Sequence, residues 1–504
     1  MTQALVERYS DRLHAVLSCY DRIVVTGTLP GSCYAQGMTA FLCTRRIRIF
    51  DYARFVEPLR EAIRERAQQL AHAAGMTIEH IAKAHIRKED VVAKVLERRG
   101  PHAGWVHILS AMEACPSYKP WHDKPSGKTY LKPDTGKCLH YYFYFIDPSV
   151  RLCYLRVPTW CPFKLQFYCN GHGWLAQQLT AKPIGYPVAD NAFVHLEDVD
   201  RAQALADRFR PDQLHRLLDR YARQGCPVHR TIEQRYHGSL MQVEYATDLL
   251  FRSRETLAPL YEQLARQAVL AVKADQVATF LGKKITPQLA QEIGSRFATR
   301  IEGTCIKHRL GSAPVKLYDK VGRVLRIETT VNDVSFFKHH RKVEHREGPS
   351  TRELAPLKKS IYSLIDLREI LLGCNRRYLE FLSALDDHSA GHRALDRLTA
   401  EKREGDRPIK GLNFFQRTEQ HLLRARQRPQ FNIHGLRRAD LRAVLPHAAP
   451  ATLSRQLTRL RSLGVLKRVT GTYRYYLTRL GRAAIAAACS LTEFQLIPAL
   501  AAAP

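Results

Sequence analysis

The chain has 504 residues, 45% hydrophobic and 25% charged, which places it among globular proteins of several domains. Lys and Arg number 78 against 48 Asp and Glu, a formal net charge of +30, so the expected partner is a polyanion, nucleic acid before any other. No run approaches the roughly 18 apolar residues of a membrane span, the N-terminus lacks a signal-peptide core, and none of the 12 cysteines stands in C-x-x-C spacing; these features exclude a membrane protein, a secreted disulfide scaffold and a zinc ribbon, and point to the cytoplasm.

In YDRIVVTGTLPG, Ile23, Val24 and Val25 predict a strand that Gly27, Pro30 and Gly31 end. Leu59, Ile63, Ala67 and Leu70 then share one helical face, with Gly75 as a cap past its end. Residues 104–174 read as a sheet of about four or five mostly antiparallel strands with helices against it. Within it, CLHYYFYFIDPSVRLCYLRVP is a hairpin turning at Asp147, Pro148 and Ser149. Tyr142, Tyr144 and Ile146 take one face of its first arm, Phe143 and Phe145 the other, the pattern of a central strand. Cys153, Cys161 and Cys169 recur every eight residues without a matching His pair and read as reduced, buried thiols. In YCNGHGWLAQQL, Asn170 is placed to cap a helix, and His172 lies in a Gly-bracketed turn. That turn is either a capped start anchored by Trp174 or a phosphate-binding helix terminus.

Residues 197–300 read as mainly helical, with a break at Pro211, and residues 315–331 as a second hairpin. The expected organisation is an α+β class: an α+β sheet domain over 1–196, a helical region over 197–300, a hairpin continuing the body over 301–349, a helical connector over 350–420 and a C-terminal domain over 421–504.

The hairpin KLYDKVGRVLRIE holds the clearest candidate for chemistry. Its pleat puts Lys316, Tyr318 and Lys320 on one face, as it does Arg326 and Glu328, while Leu325 and Ile327 face the core. Tyr318, Asp319 and Glu328, with His172, are the catalytic suspects, since a carboxylate here would hold a metal or orient a base. An ordinary salt-bridged hairpin is the competing reading. The YDK…LRIE pattern resembles the hairpin of rolling-circle replication initiators of plasmids and filamentous phages. That resemblance implies a mixed sheet, a two-histidine metal site and a tyrosine nucleophile. The sequence departs from it in lacking a His-hydrophobic-His triplet; His339 and His340 are adjacent. No G-x-x-x-x-G-K-[ST] loop and no G-x-S-x-G elbow occurs. No cofactor is expected, and a divalent metal only if the chain is a nuclease.

Near the C-terminus, RRADLRAVLP reads as a short helix and Pro450 starts the next, where a missing N–H costs nothing. Leu453, Leu457 and Leu460 form its apolar stripe, with Thr452, Arg455, Gln456 and Arg459 on the opposite face and Gly464 at its end. VLKRVTGTYRYYLT reads as a two-stranded hairpin and RLGRAAIAAAC as a closing helix. ATLSRQLTRLRSLGVLKRV and YYLTRLGRAAI resemble the recognition helix and wing of winged helix-turn-helix domains of the MarR type, over about a ninth of the chain. The resemblance implies DNA binding, with the helix in the major groove and the wing on the backbone. Between Arg424 and Arg482 stand 14 Lys and Arg and a single acid, Asp440. Arg455, Gln456 and Arg459 are expected at base edges, with Arg468 and Arg474 of the wing on phosphate or in the minor groove, and Thr452 and Lys467 beside them.

These readings lead to a DNA-binding protein, on double-stranded DNA and compatible with a homodimer, whose body binds, dimerises or regulates. A nicking nuclease or replication initiator of a mobile element is the alternative, and a structured-RNA-binding protein a second one.

Overall fold

The computed structural model describes residues 4–83, 85–283, 297–345, 348–386, 389–405, 407–426, 431 and 435–502. The chain divides into two compact units, Met1–Asp386 and Asp387–Pro504.

The first unit is organised on one eleven-stranded sheet. Its strands, in chain order, are β1 (Leu13–Thr28), β2 (Ile78–His80), β3 (Gly104–Asp123), β4 (Lys128–Asp147), β5 (Arg151–Pro158), β6 (Leu165–Asn170), β7 (His237–Phe251), β8 (Phe297–Glu302), β9 (Cys305–Leu310), β10 (Ala313–Lys320) and β11 (Val324–Val331). The spatial order is β8-β9-β10-β11-β7-β1-β6-β5-β4-β3-β2. All neighbours are antiparallel except β2 and β3. The fold class is therefore α+β, as the patterning implies. The sheet is larger than the expected four or five strands, and it runs through all three regions set apart in the sequence, 1–196, 197–300 and 301–349. The stretch read as mainly helical contains β7, which sits at the sheet's centre between β11 and β1.

Helices cover both faces. The predicted helix is α1 (Tyr52–Ala73), which buries Leu59, Ile63, Ala67 and Leu70, and Gly75 follows it at φ +63°. Next in the chain come α2 (Gly171–Ala181), α3 (Pro211–Gly225), α4 (Arg254–Ala271) and α5 (Leu364–Asp386). The YYFYF arm serves two cores at once. Phe143 and Phe145 belong to the main apolar cluster, while Tyr142, Tyr144 and Ile146 join Val92 and Leu109 on the other face. Tyr20, Tyr245, Thr247 and Thr329 face α5, where Asn375 takes Thr329 Oγ1 as a donor at 2.7 Å and gives its amide to the Tyr245 carbonyl at 3.0 Å. Alternation then sends Glu244, Asp248, Arg326 and Glu328 to the opposite face.

The second unit has its own apolar cluster. It includes α6 (Arg438–Val444), α7 (Pro450–Ser462), the short strands β12 (Leu466–Arg468) and β13 (Tyr475–Leu477), and α8 (Arg479–Leu491). Leu453, Leu457 and Leu460 of α7 are buried, as their spacing requires. Thr478 caps α8 through Gly481 N at 2.9 Å. The helical run Arg479–Ala501 is long and apolar enough, by length and composition alone, to cross a membrane. Its inner end buries Ile485 and Cys489 in the unit's core, and its outer end exposes Leu491, Phe494 and Leu500.

Candidate functional site

The central strands carry a cluster of buried charges whose placement starts with a fault in β1. The β1–β7 register runs Tyr20 against Tyr245 and then Ile23 against Val243, so Asp21 and Arg22 together oppose Glu244. This is a β-bulge, a device that re-aims side chains. Alternation from Tyr20 puts Asp21 on the face that carries Glu244 and Asp248, and the extra residue of the bulge is Arg22. On β11, Arg326 stands opposite Asp248 and Thr330 opposite Glu244. On β10, Lys316 faces Glu328 and Tyr318 faces Arg326, so the hairpin pairs as its sequence implies.

Arg326 is 0% exposed. Its Nε and Nη2 grip Asp248 in a fork at 2.7 Å each, and Nη1 donates to Asp21 Oδ2 at 3.2 Å. Nη2 also reaches His172 Nε2 at 2.9 Å and the Asn191 carbonyl at 3.0 Å. His172 Nδ1 lies 3.4 Å from Asp21 Oδ1 and Nε2 3.4 Å from Asp248 Oδ2, and against its burial the imidazole is pushed well above its ordinary range, with hydrogen bonds to both carboxylates among the causes. His172 occupies the first turn of α2, which Asn170 caps through Gly173 N at 3.0 Å. Asn170 also donates to Asp21 Oδ1 at 2.9 Å. Gly171 is required there, since a Cβ at that position would stand 2.1 Å from the Tyr20 carbonyl oxygen. The phosphate reading of this turn loses its room: His172 is buried and spent on the carboxylate network.

Beside this network lies a second group. Lys316 Nζ donates to Glu328 Oε1 at 2.6 Å and to Glu244 Oε1 at 3.0 Å, and Thr330 donates to Glu244 at 3.0 Å. Carboxylate oxygens of Asp21, Glu244 and Glu328 lie within 4.8 Å of one another. Burial, and then the charge of Glu244, push the Glu328 carboxyl up to about 8. Asp21 is held well below the usual aspartate range against its burial, by hydrogen bonding and charge from His172 and by the charge of Arg326. Asp248 is likewise held low against burial, chiefly by Arg326. Of the three carboxyls, Glu328 is thus the one driven toward the protonated form, beside a Lys316 ammonium that serves both it and Glu244. An oxygen-only donor set of this kind suits a hard divalent cation, which would take the place of that ammonium.

The suspects named from sequence separate. Glu328 and His172 belong to the cluster, and Tyr318 flanks it, half-buried, with Lys316 Nζ 5.9 Å from its ring centre. Asp319 does not: its register partner is Leu325 on the other face, and its carboxylate accepts Gly322 N at 3.0 Å to close the turn. His339 and His340 sit on a separate hairpin, with His339 3.6 Å from Asp366. Sequence reasoning placed Lys316 on the candidate hairpin face but passed over Asp21, Glu244 and Asp248 as members of the site. The available signal was several acids inside apolar strand sequence, DLLF and YDRIVV among them.

In the C-terminal unit, Arg455 is exposed and Thr452 and Gln456 are half-buried. Lys467 and Arg468 are exposed, the latter over Tyr473 at 5.0 Å. Arg474 is half-buried in the hairpin. Arg459 is not presented outward. It is 12% exposed by side chain, donates to Glu419 at 2.6 Å and to the carbonyls of Lys410 and Gly411, and takes Gln456 Oε1 at 3.1 Å. The segment 410–419 covers that side of α7. The open side is a groove of about 650 Å³ between α6, α7 and the β12–β13 hairpin, lined by Arg437, Arg438, Arg442, Ser454, Thr458 and Arg468. Arg437, just before α6, and Arg438 and Arg442 within it were counted in the sequence as charge but not as contacts.

No protein-family model, curated protein or solved structure matches the chain.

Proposed function

We propose that the chain is a DNA-binding protein that holds duplex DNA with its C-terminal unit. The arginine-lined groove carries this reading: four guanidinium groups from two elements converge beside an exposed helix face, where phosphate contacts and base contacts form together. Arg455 and Thr452 supply the base-edge contacts, and Lys467, Arg468 and Arg474 the wing contacts. Arg459 and Gln456 drop out of direct readout and hold α7 in place instead. The twelve cysteines are all unpaired, which fits the reducing cytoplasm. Triple substitution Arg438→Ala, Arg442→Ala and Arg468→Ala is expected to weaken duplex binding in fluorescence anisotropy. Its slope of log affinity against log salt should fall by about 2–3, at about 0.9 per phosphate contact. An unchanged slope would sink the reading.

A second reading, metal-dependent cleavage of the phosphodiester backbone, is favoured by the convergence of Asp21, Glu244 and Glu328. These three would hold a divalent cation, which would displace Lys316 Nζ from Glu244 and Glu328, with Tyr318 beside the site. In this reading, supercoiled plasmid is nicked with Mg²⁺ or Mn²⁺, and Glu328→Gln abolishes nicking. Intact plasmid after incubation with the parent protein and either metal removes it.

A further inference from the structure

We infer that the distal part of the β3–β4 hairpin is a second DNA contact, a two-stranded ribbon that lies against a duplex. The inference rests on the DNA-binding reading above but uses different residues in a different unit. β3 and β4 pair without interruption from His107 and Tyr144 out to Asp123 and Lys128. Their other neighbours stop early: β5 meets β4 only at His140–Asp147, and β2 meets β3 only at Ile108–Ser110. Beyond those points the hairpin stands alone as a ribbon.

Its two faces differ in kind. One is anchored: Tyr118 and Leu131 are buried, Tyr118 Oη donates to the Ser32 carbonyl at 3.0 Å, and Leu131 N donates to Thr39 Oγ1 at 2.9 Å. The other carries the cross-strand pairs Lys119 with Lys132, Trp121 with Tyr130, and Asp123 with Lys128. Trp121 is 42% exposed, and Lys132 Nζ lies 3.6 Å from its ring centre. Lys124 follows in the turn, which Gly127 closes at φ +64°. Between Pro116 and Lys137 stand five lysines and two aspartates.

Three observations select the partner. Two lysines stand directly opposite one another, eased only by the exposed Lys119–Asp134 pair at 3.6 Å and by the Trp121 ring under Lys132, and a polyanion removes the repulsion that remains. Pro116, Pro120 and Pro133 deprive the strands of N–H donors, which bars a protein strand from adding to either edge. A two-stranded ribbon also has the width that the major groove admits. Lysines then meet phosphate, and the Trp121–Tyr130 pair lies toward the groove floor.

The test uses the full chain and random-sequence duplex, in anisotropy titrations across salt. Lys119→Ala, Lys124→Ala, Lys128→Ala and Lys132→Ala together are expected to weaken binding tenfold or more and to lower the salt slope by about 3–4, at about 0.9 per contact. A charge-matched control, Lys83→Ala, Arg87→Ala, Lys94→Ala and Arg98→Ala, removes four exposed cations elsewhere on the same unit. An equal loss in the control means that net charge alone acts, and overturns the inference. Trp121→Ala should weaken duplex binding as well. If it weakens only single-stranded binding, the ribbon is a stacking platform and the duplex assignment falls. If the groove substitutions in α6 and β12 weaken binding and the ribbon substitutions do not, the inference fails while the DNA-binding reading stands. Absence of any duplex binding by the parent chain ends both.

Discussion

Arg326 is the residue on which the buried network turns. It satisfies Asp248 with a planar fork and reaches Asp21 and His172 with what remains. Arg326→Ala would strand two carboxylates in the sheet, and breaking a buried pair in this way costs about 3–5 kcal/mol. Urea melts should show that loss. Arg326→Lys should recover only part of it, because an ammonium cannot fork. An alanine variant within about 0.5 kcal/mol of the parent, the range of an ordinary surface change, would contradict the account. Glu328 gives a pH signature. Its carboxyl titrates at about 8 in the fold against 4.5 when free of the fold. Across that window Glu328 keeps its proton in the fold and loses it in the unfolded chain, so its contribution to stability falls as pH rises, while buried His308, held low at about 4, works the other way below the ordinary histidine range. Asp21 also works in the sense opposite to Glu328, but below the ordinary aspartate range, so those two effects do not overlap. Glu328→Gln is expected to flatten the dependence of urea midpoint on pH between about pH 5 and about pH 8. The same pH dependence in the parent and in Glu328→Gln would refute the raised Glu328 carboxyl. Two of these residues, His172 and Glu328, were legible as candidates. Their partners were not, because Asp21 meets Arg326 across 305 residues and Arg326 meets His172 across 154; nothing local in the sequence encodes such a meeting.

At the scale of elements, α1 and the YYFYF arm were legible because each shows one clean period. β7 was not. A central strand is expected to be apolar on both faces, and Glu244 and Asp248 break that pattern. Their burial makes sense only once Lys316 and Arg326 arrive from the neighbouring hairpin. The same limit applies to α7. Its inward stripe was readable from spacing, but the inward turn of Arg459 depends on Glu419 and the 410–411 backbone, which the helix pattern does not mention. The junction of β6 and α2 is open to a direct test. A methyl at Gly171 collides with the Tyr20 carbonyl, so Gly171→Ala must push α2 off the β1 bulge. The expected cost is about 1–3 kcal/mol, the usual range for overpacking. Calorimetry would register it as a lower transition temperature, and an unchanged transition would mean that β1 and α2 are less tightly seated than described.

For the whole molecule, the charge of +30 is a statement about association. Non-specific duplex binding is expected to fall by about a thousandfold or more between 50 and 200 mM salt, as for proteins making about 6–10 phosphate contacts. Affinity that ignores salt would remove nucleic acid as the principal partner. The two units hold separate apolar clusters, so calorimetry should resolve two transitions in place of one cooperative melt.

The position of β1 at the sheet's centre also dictates how the chain must be made. Thr28, at the end of β1, pairs with His237 at the start of β7, 209 residues further on. At synthesis rates of about 5–20 residues per second, β1 leaves the ribosome roughly 10–40 s before that partner does. For this interval a long apolar strand has one edge without its native neighbour. Nascent chains of this protein are therefore expected to be clients of co-translational chaperones, and slow codons between residues 28 and 237 would lengthen the period in which they aggregate.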